Sequence, residues 1–419
     1  MPNRTLQPNL VSIDSIEFVA PKKYAVSNSV PLYHMSDVPN ETARFDLYFD
    51  AGNCRDKNGL ASFVNGLLLS GTESKTSVQI QSEINSLGGF LDSGISVENS
   101  VLSVYCLREH VQAIFTTVIN AIALVSFDQK EIDQYLADRK QNLLINKEKV
   151  GYLAQQKFRG KLFASNEHYA ASITQSEIDT VTREQLITFH ADHYLNGLTK
   201  MVVVGDISED VIEEMISQSR VLLSSSQEKF EDELRNTPGE FHQAKDGAVQ
   251  SAIRAGRILF NKNHPDYLDF LVLNTILGDY FGSRLMANIR EDKGYTYGIG
   301  TMVAELDGTG YFLIATEVGA EVREPTMLEI QRELRRLQEE LVPNNELQLV
   351  QNYMLGQLLK SADGPYAMTD LYLSAEIHGK DLDFYNQALT SIKSITPERI
   401  QSLAKKYLQW DDFSVVSVG

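Results

Sequence analysis

The stretch IDTVTREQLITFHADHYLNGLTKMVVVGD, starting at Ile178, and the stretch IKSITPERIQSLAKKYLQWDDFSVVSVG, starting at Ile392, share one register. Ile178 with Ile392, Thr182 with Thr396, Glu184 with Glu398, Val204 with Val418 and Gly205 with Gly419 all pair at a single constant separation. A chain that carries one segment twice builds the same supersecondary unit twice, so the duplication defines the domains before any motif does. Each copy predicts a Thr N-cap (Thr182, Thr396), an amphipathic helix, a short turn and a β-branched strand. Upstream, the order repeats as well. A strand (ARFDLYFDAG, then QSAIRAGRILF) precedes an apolar helix (GLASFVNGLLLSG, then PDYLDFLVLNTILGD), an amphipathic helix and a strand pair. Long helical patterns follow in both halves, HVQAIFTTVINAIALV and PTMLEIQRELRRLQEEL.

The fold class expected is therefore α+β, two homologous domains, each a mostly antiparallel sheet covered by helices on one face. The first domain spans 1–222 and the second 249–419; the polar segment 223–248, with Pro238 and Gly239, reads as a linker. Two such domains form a clamshell with a cavity between them.

At 419 residues with 43% hydrophobic and 22% charged side chains, the chain has the composition of a globular protein throughout. Lys+Arg 38 against Asp+Glu 56 gives a net charge of −18, which argues against a nucleic-acid partner, since a phosphate backbone demands concentrated positive charge. Cys54 and Cys106 are too few for a disulfide framework and fit a reducing compartment. The N-terminal residues lack a secretory pattern, and no apolar run approaches the roughly 18 residues that span a membrane. A cytoplasmic protein is expected. There is no phosphate-cradling glycine loop and no G-x-S-x-G elbow.

The stretch Gly59-Leu60-Ala61-Ser62-Phe63-Val64-Asn65-Gly66-Leu67-Leu68-Leu69-Ser70-Gly71-Thr72 resembles the zinc helix of the pitrilysin/insulinase superfamily, which includes the mitochondrial processing peptidases. That family's pattern is G-x-A-H-F-x-E-H-x-x-F-x-G-T. Its H-x-x-E-H core works because i and i+4 share a helix face, so two imidazoles grip one zinc while the Glu activates its water. Here the frame is kept and the chemistry is not: Ser62 and Gly66 stand at the ligand positions and Asn65 at the general-base position. The resemblance puts a third ligand, a Glu, on a later helix; Glu131, Asp133 and Asp138 are the nearest carboxylates there. The chain alone is accordingly expected to hold no metal and to be catalytically incompetent.

A second resemblance lies in SRLMANIREDKGYTYGIG. Substrate-binding halves of the family carry an Arg and, seven residues later, a Tyr, which match Arg290 and Tyr297. Arg290 would end a helix and Tyr297 would lie on the following strand, with Tyr295 on the same strand face as a substitute. By themselves these residues also read as an ordinary solvated helix end followed by a packed strand. His190 and His193, spaced i,i+3, lack a third ligand and read as surface or packing residues; Cys54 reads as a buried thiol.

The resemblance implies a zinc-less companion subunit of a bacterial two-chain metallopeptidase, pairing with a chain that bears H-x-x-E-H and supplying Arg290 and Tyr297 toward a peptide substrate. Zinc would then reside only in the partner. The other reading is a peptide-binding or structural scaffold that associates with itself.

Overall fold

The duplicated segments end inside two sheets built to one plan. The computed structural model describes residues 13, 15–27, 29–39, 41–222 and 233–419. The first sheet contains β1 (Lys22–Ala25), β2 (Pro31–Met35), β3 (Thr42–Phe49), β4 (Phe90–Ile95), β5 (Ser100–Leu107) and β6 (Leu198–Val204), in the order β1-β2-β6-β3-β5-β4. The second contains β7 (Gly239–Gln243), β8 (Gln250–Leu259), β9 (Thr296–Leu306), β10 (Thr309–Gly319) and β11 (Ser414–Val418), in the order β7-β11-β8-β10-β9. Without β1 the two orders coincide. Each has one parallel pair, β2 with β6 and β7 with β11, and the remaining neighbours are antiparallel.

Part of the segment expected to be a linker thus has a structural task. Gly239–Gln243 forms β7, whose register pairs Phe241 with Val416, because the final β-branched strand would otherwise present an unpaired edge. Residues 223–232 of that segment lie outside the described residues.

The first half carries helices α1 (Leu60–Leu67), α2 (Ser77–Ser86), α3 (Val111–Ala123), α4 (Gln129–Lys147), α5 (Val150–Leu162), α6 (Glu167–Ala170), α7 (Gln175–Thr180), α8 (Arg183–His190) and α9 (Glu209–Ser219). The second carries α10 (Tyr267–Leu277), α11 (Arg323–Glu339), α12 (Asn344–Ser361), α13 (Gly364–Glu376), α14 (Asp383–Ser394) and α15 (Pro397–Tyr407). Thr182 caps α8 through a capping box with Gln185, and Thr396 caps α15 by accepting the Arg399 amide. The duplicated threonines do the same work in both halves.

Each sheet packs one face on its own half's helices. In the first half, Phe45 of β3 meets Phe115 of α3 edge-on with ring centroids 5.1 Å apart. The opposite faces are covered too, and by exchange. From β6, Met201 and Val203 enter the first half's own core, whereas Val202 and Val204 pack with Leu373 and the half-buried Tyr366 and Tyr372 of α13. From β11, Val415 enters the second half's own core, whereas Val416 and Val418 pack with Ala154, Phe158 and Leu162 of α5. Strand alternation thus sends every second side chain to a helix of the other half.

The two exchanged contacts differ in chemistry. The α5 contact is apolar and lies at i, i+4, i+8 spacing. The α13 contact adds charge: Arg44 Nη2 donates to Asp370 Oδ1 at 2.6 Å, Lys200 Nζ to Glu376 Oε2 at 2.8 Å, and Tyr33 Oη to Glu376 Oε1 at 2.7 Å. Burial alone would raise the Glu376 carboxyl, but the hydrogen bonds from Lys200 and Tyr33 outweigh it and hold the group below its ordinary range.

Two outcomes follow from the exchange. Phe158→Ala empties a fully buried site and is expected to cost about 3–5 kcal/mol. Amide hydrogen exchange checks its reach, because protection falls in β8 and β11, which belong to the half that does not contain Phe158. For Glu376 the folded pKa is depressed, so its contribution is present above the ordinary carboxylate range and is lost as pH falls through the folded value. Urea unfolding at pH 7 is expected to show Glu376→Gln less stable by about 1–3 kcal/mol. That gap closes as the pH drops below about 4.

Candidate functional site

Helix α1 begins where Asp56 Oδ2 accepts the amides of Asn58 at 2.7 Å and Leu60 at 2.8 Å. Gly59, at φ 89°, turns the chain into the helix through a left-handed conformation that a side chain would strain. Ser62 and Gly66 then share one face of α1, as i and i+4 must. That face meets α4, which starts at the Asp128 cap.

Two α4 side chains, Tyr135 and Arg139, lie one turn apart and close on Ser62. Tyr135 Oη donates to the Ser62 carbonyl at 3.1 Å, and Arg139 Nη2 donates to Ser62 Oγ at 2.9 Å. A β-carbon at Gly66 would stand inside the van der Waals envelope of the Tyr135 phenol. The volume a side chain would use at position 66 is therefore filled by the tyrosine. Asn65 turns away into the protein, where its Oδ1 accepts Ser100 Oγ at 2.7 Å and Tyr194 Oη at 3.3 Å.

This donor set does not fit zinc. A divalent cation needs deprotonated or neutral lone-pair ligands, and the position offers one hydroxyl, no side chain at 66 and a guanidinium that is itself a cation. No group of three or more His, Cys, Asp or Glu with ligating geometry occurs among the described residues. The carboxylates considered from the sequence face elsewhere: Asp133 accepts from Gln129, Asp138 accepts from Gln134, and Glu131 Oε2 lies 3.5 Å from Ser77 Oγ.

Three adjoining cavities extend from this helix toward the second half. The first, about 370 Å³, is lined by Ser62, Arg139 and Tyr152 among others. Tyr152 also lines the second, about 520 Å³, and Gln250 and Glu317 line both the second and a third of about 340 Å³. Tyr297 lines the third. Shared lining residues thus link the cavity at Ser62, step by step, to the one at Tyr297.

Arg290 sits on the helical segment Met286–Asp292, and its Nε donates to the Tyr297 carbonyl at 3.1 Å. Its guanidinium lies over the Phe281 ring, 4.7 Å from the centroid. Tyr297 is 94% exposed, and its hydroxyl has no partner among the described residues. The spacing of seven therefore couples Arg290 to the backbone of Tyr297 and leaves the phenol free. Tyr295 is partly buried against the second core, in contrast to the exposed Tyr297.

The remaining candidates are structural. His190 Nε2 bonds the Ile122 carbonyl at 2.9 Å, and burial lowers its pKa to about 4; His193 Nδ1 bonds the Asp50 carbonyl at 2.8 Å. The two rings serve separate main-chain acceptors. Cys54 is buried, which pushes its thiol up to about 12, the reverse of an activated nucleophile.

Residues 33–184 match the family described as Insulinase (Peptidase family M16), and residues 180–354 match the Peptidase M16 inactive domain. A Bacillus subtilis protein named as an uncharacterised zinc protease is 20% identical over 95% of this chain and 98% of its own length. A probable mitochondrial-processing peptidase subunit beta of Arabidopsis thaliana is 19% identical over 92% of this chain and 75% of its own. In fold, the chain is similar to the crystal structure of a peptidase M16 inactive domain from Pseudomonas fluorescens, with a TM-score of 0.86 at 22% identity over 96% of this chain and 98% of that one. A Helicobacter pylori protease gives 0.82 at 13% identity over 96% and 100%. With both domain matches in sequence order over one duplicated fold, the chain belongs to the insulinase, or M16, peptidase family.

Proposed function

We propose that this chain is a non-catalytic M16 subunit that binds peptide in the groove between its halves and lends Arg290 and Tyr297 to a partner chain bearing H-x-x-E-H. The observation that carries this reading is the Arg139 guanidinium on Ser62 at 2.9 Å, a cation at the place where the family's helix holds a metal. Ligand loss alone would leave an open site. Here Tyr135 fills the side-chain volume at position 66 and a guanidinium holds the Ser62 hydroxyl, so the face toward the remaining cavity is cationic. Zinc, in this reading, belongs to the partner alone.

The exposed Tyr297 phenol supports a role toward something outside the chain. A ring of that size 94% in solvent is unusual for a residue with only a packing task. Its main-chain carbonyl is fixed by Arg290, so the backbone position that presents the phenol is set beside the third cavity. A phenol donor and a guanidinium set together suit a peptide backbone or a developing oxyanion. No helix among the described residues is long and apolar enough to cross a membrane. Both cysteines are free and buried, which suits a reducing compartment, and on that ground we take the protein to be a cytoplasmic bacterial one.

Two measurements test this. Alanine is the better helix former, yet Gly66→Ala is expected to destabilise by about 1–3 kcal/mol through overpacking against Tyr135. In a Tyr135→Ala background that cost disappears, and a double-mutant cycle by urea unfolding reads the coupling. For the partner, affinity purification from the native host at modest salt, with mass spectrometry, is expected to recover a homologous chain with an intact zinc motif in near-equal amount. Arg290→Ala should then abolish cleavage by the pair while leaving its assembly intact. Recovery of this chain only with itself overturns the companion role in favour of a self-associating scaffold.

A further inference from the structure

The cavity against Ser62 has a charge imbalance that runs opposite to the rest of the molecule. Four charged residues line it: Asp56, Lys57, Arg139 and Arg159. Asp56 is committed to the start of α1, where it accepts the Asn58 and Leu60 amides. Lys57 is committed to Glu167, with Nζ 2.9 Å from Oε1. Arg139 gives one N–H to the Ser62 hydroxyl, and Arg159 gives its Nε to the Tyr169 carbonyl at 2.7 Å. Neither arginine has a carboxylate within ion-pair distance among the described residues, and Arg159 Nη2 is buried with no hydrogen-bond partner.

A chain with Asp+Glu 56 and Lys+Arg 38 has carboxylates to spare. Both arginine side chains are half-buried, and the cost falls on the Arg159 Nη2 donor, which is buried with nothing to donate to. Burial indeed draws Arg159 below its ordinary range, with only Tyr311 and Cys54 opposing. The rest of the lining consists largely of neutral donors and acceptors, with the amides of Asn142, Asn146, Gln155 and Gln156 prominent. At about 370 Å³ the space is within the range of small-ligand sites.

We propose that this cavity is a carboxylate site, in which Arg139 and Arg159 take the carboxylate of a peptide lying in the groove. Planar guanidiniums match a carboxylate through paired N–H donors. The position that holds a cation in the zinc motif this helix resembles thus takes an anion here. Tyr152 lines both this cavity and the second, so a peptide anchored here by its carboxylate would run toward the Tyr297 end. The carboxylate comes from the peptide's C-terminus or from an acidic side chain. This inference rests on the peptide-binding reading above.

Calorimetric titration of the purified full chain, at fixed ionic strength, separates the cases with three unlabelled, N-acetylated, alanine-rich pentapeptides: a free C-terminal acid, its C-terminal amide, and the amide with one internal glutamate. A charge-assisted pair predicts about tenfold weaker binding of the plain amide than of the acid. The glutamate form recovers affinity if side-chain carboxylates are also accepted, and stays weak if only the terminus is. Arg139→Gln and Arg159→Gln should level the acid and the amide. If Arg139→Gln fails to fold, Arg139→Lys, which keeps charge and loses the planar fork, should still narrow the difference. Equal binding of all three peptides to the wild-type protein overturns the carboxylate site and leaves peptide binding intact. Discrimination that survives both arginine substitutions overturns the assignment to this cavity. Failure of all three peptides to bind overturns both the site and the peptide reading.

Discussion

A strand with branched apolar residues on both faces cannot be left half covered, and β6 and β11 are such strands. Their own helices take Met201, Val203 and Val415. Val202, Val204, Val416 and Val418 would face water if α13 and α5 did not cross to them. At about 25 cal/mol per Å² of apolar surface, stripping those faces would cost several kcal/mol on each sheet. The crossing also sets the walls of the groove. Helix α5 carries Tyr152, Gln155, Gln156 and Arg159 to the first cavity by one part of its surface, while Phe158 holds the second sheet by another.

The duplicated register, the two Thr caps, the strand pairs and the apolar helix α1 were all legible in the sequence, because each is a local pattern. The exchanged helices were not. The runs KMVVVGD and SVVSVG do contain the signal, since a strand without polar alternation is buried on both faces, but the run alone does not say which helix covers it. The strand Gly239–Gln243 was hidden by its polar composition, GEFHQ, which suits an edge and looks like a linker. At the site, Ser62, Asn65 and Gly66 were found through their frame, yet Tyr135 and Arg139 were missed. Helix α4 buries only Ile132 and Leu143 among its 19 residues. It has no apolar stripe to say which side meets α1, so its acids were considered when its tyrosine and arginine were the residues in place.

The repacking at α1 is concerted. Gly66 makes room for the Tyr135 ring, that ring brings its hydroxyl to the Ser62 carbonyl, and Ser62 offers its own hydroxyl to Arg139. Asn65 meanwhile joins Ser100 and Tyr194 in a buried network, its Oδ1 accepting from both hydroxyls while Tyr194 Oη also donates to Ser100 Oγ. Each side chain is fixed by another, so no single substitution gives this helix a ligating face.

The reciprocal crossing of α5 and α13 gives the molecule the logic of a domain-swapped dimer tied into one chain. Two copies of such a unit on separate chains would each lend a helix to the other, and their union would depend on concentration. Covalent connection replaces that dependence with a fixed effective concentration. It also removes the need for the two copies to stay alike. One helix meets the other half's sheet through an apolar face of Ala154, Phe158 and Leu162, and the other adds Asp370 and Glu376 against Arg44 and Lys200, so the two halves recognise each other rather than themselves.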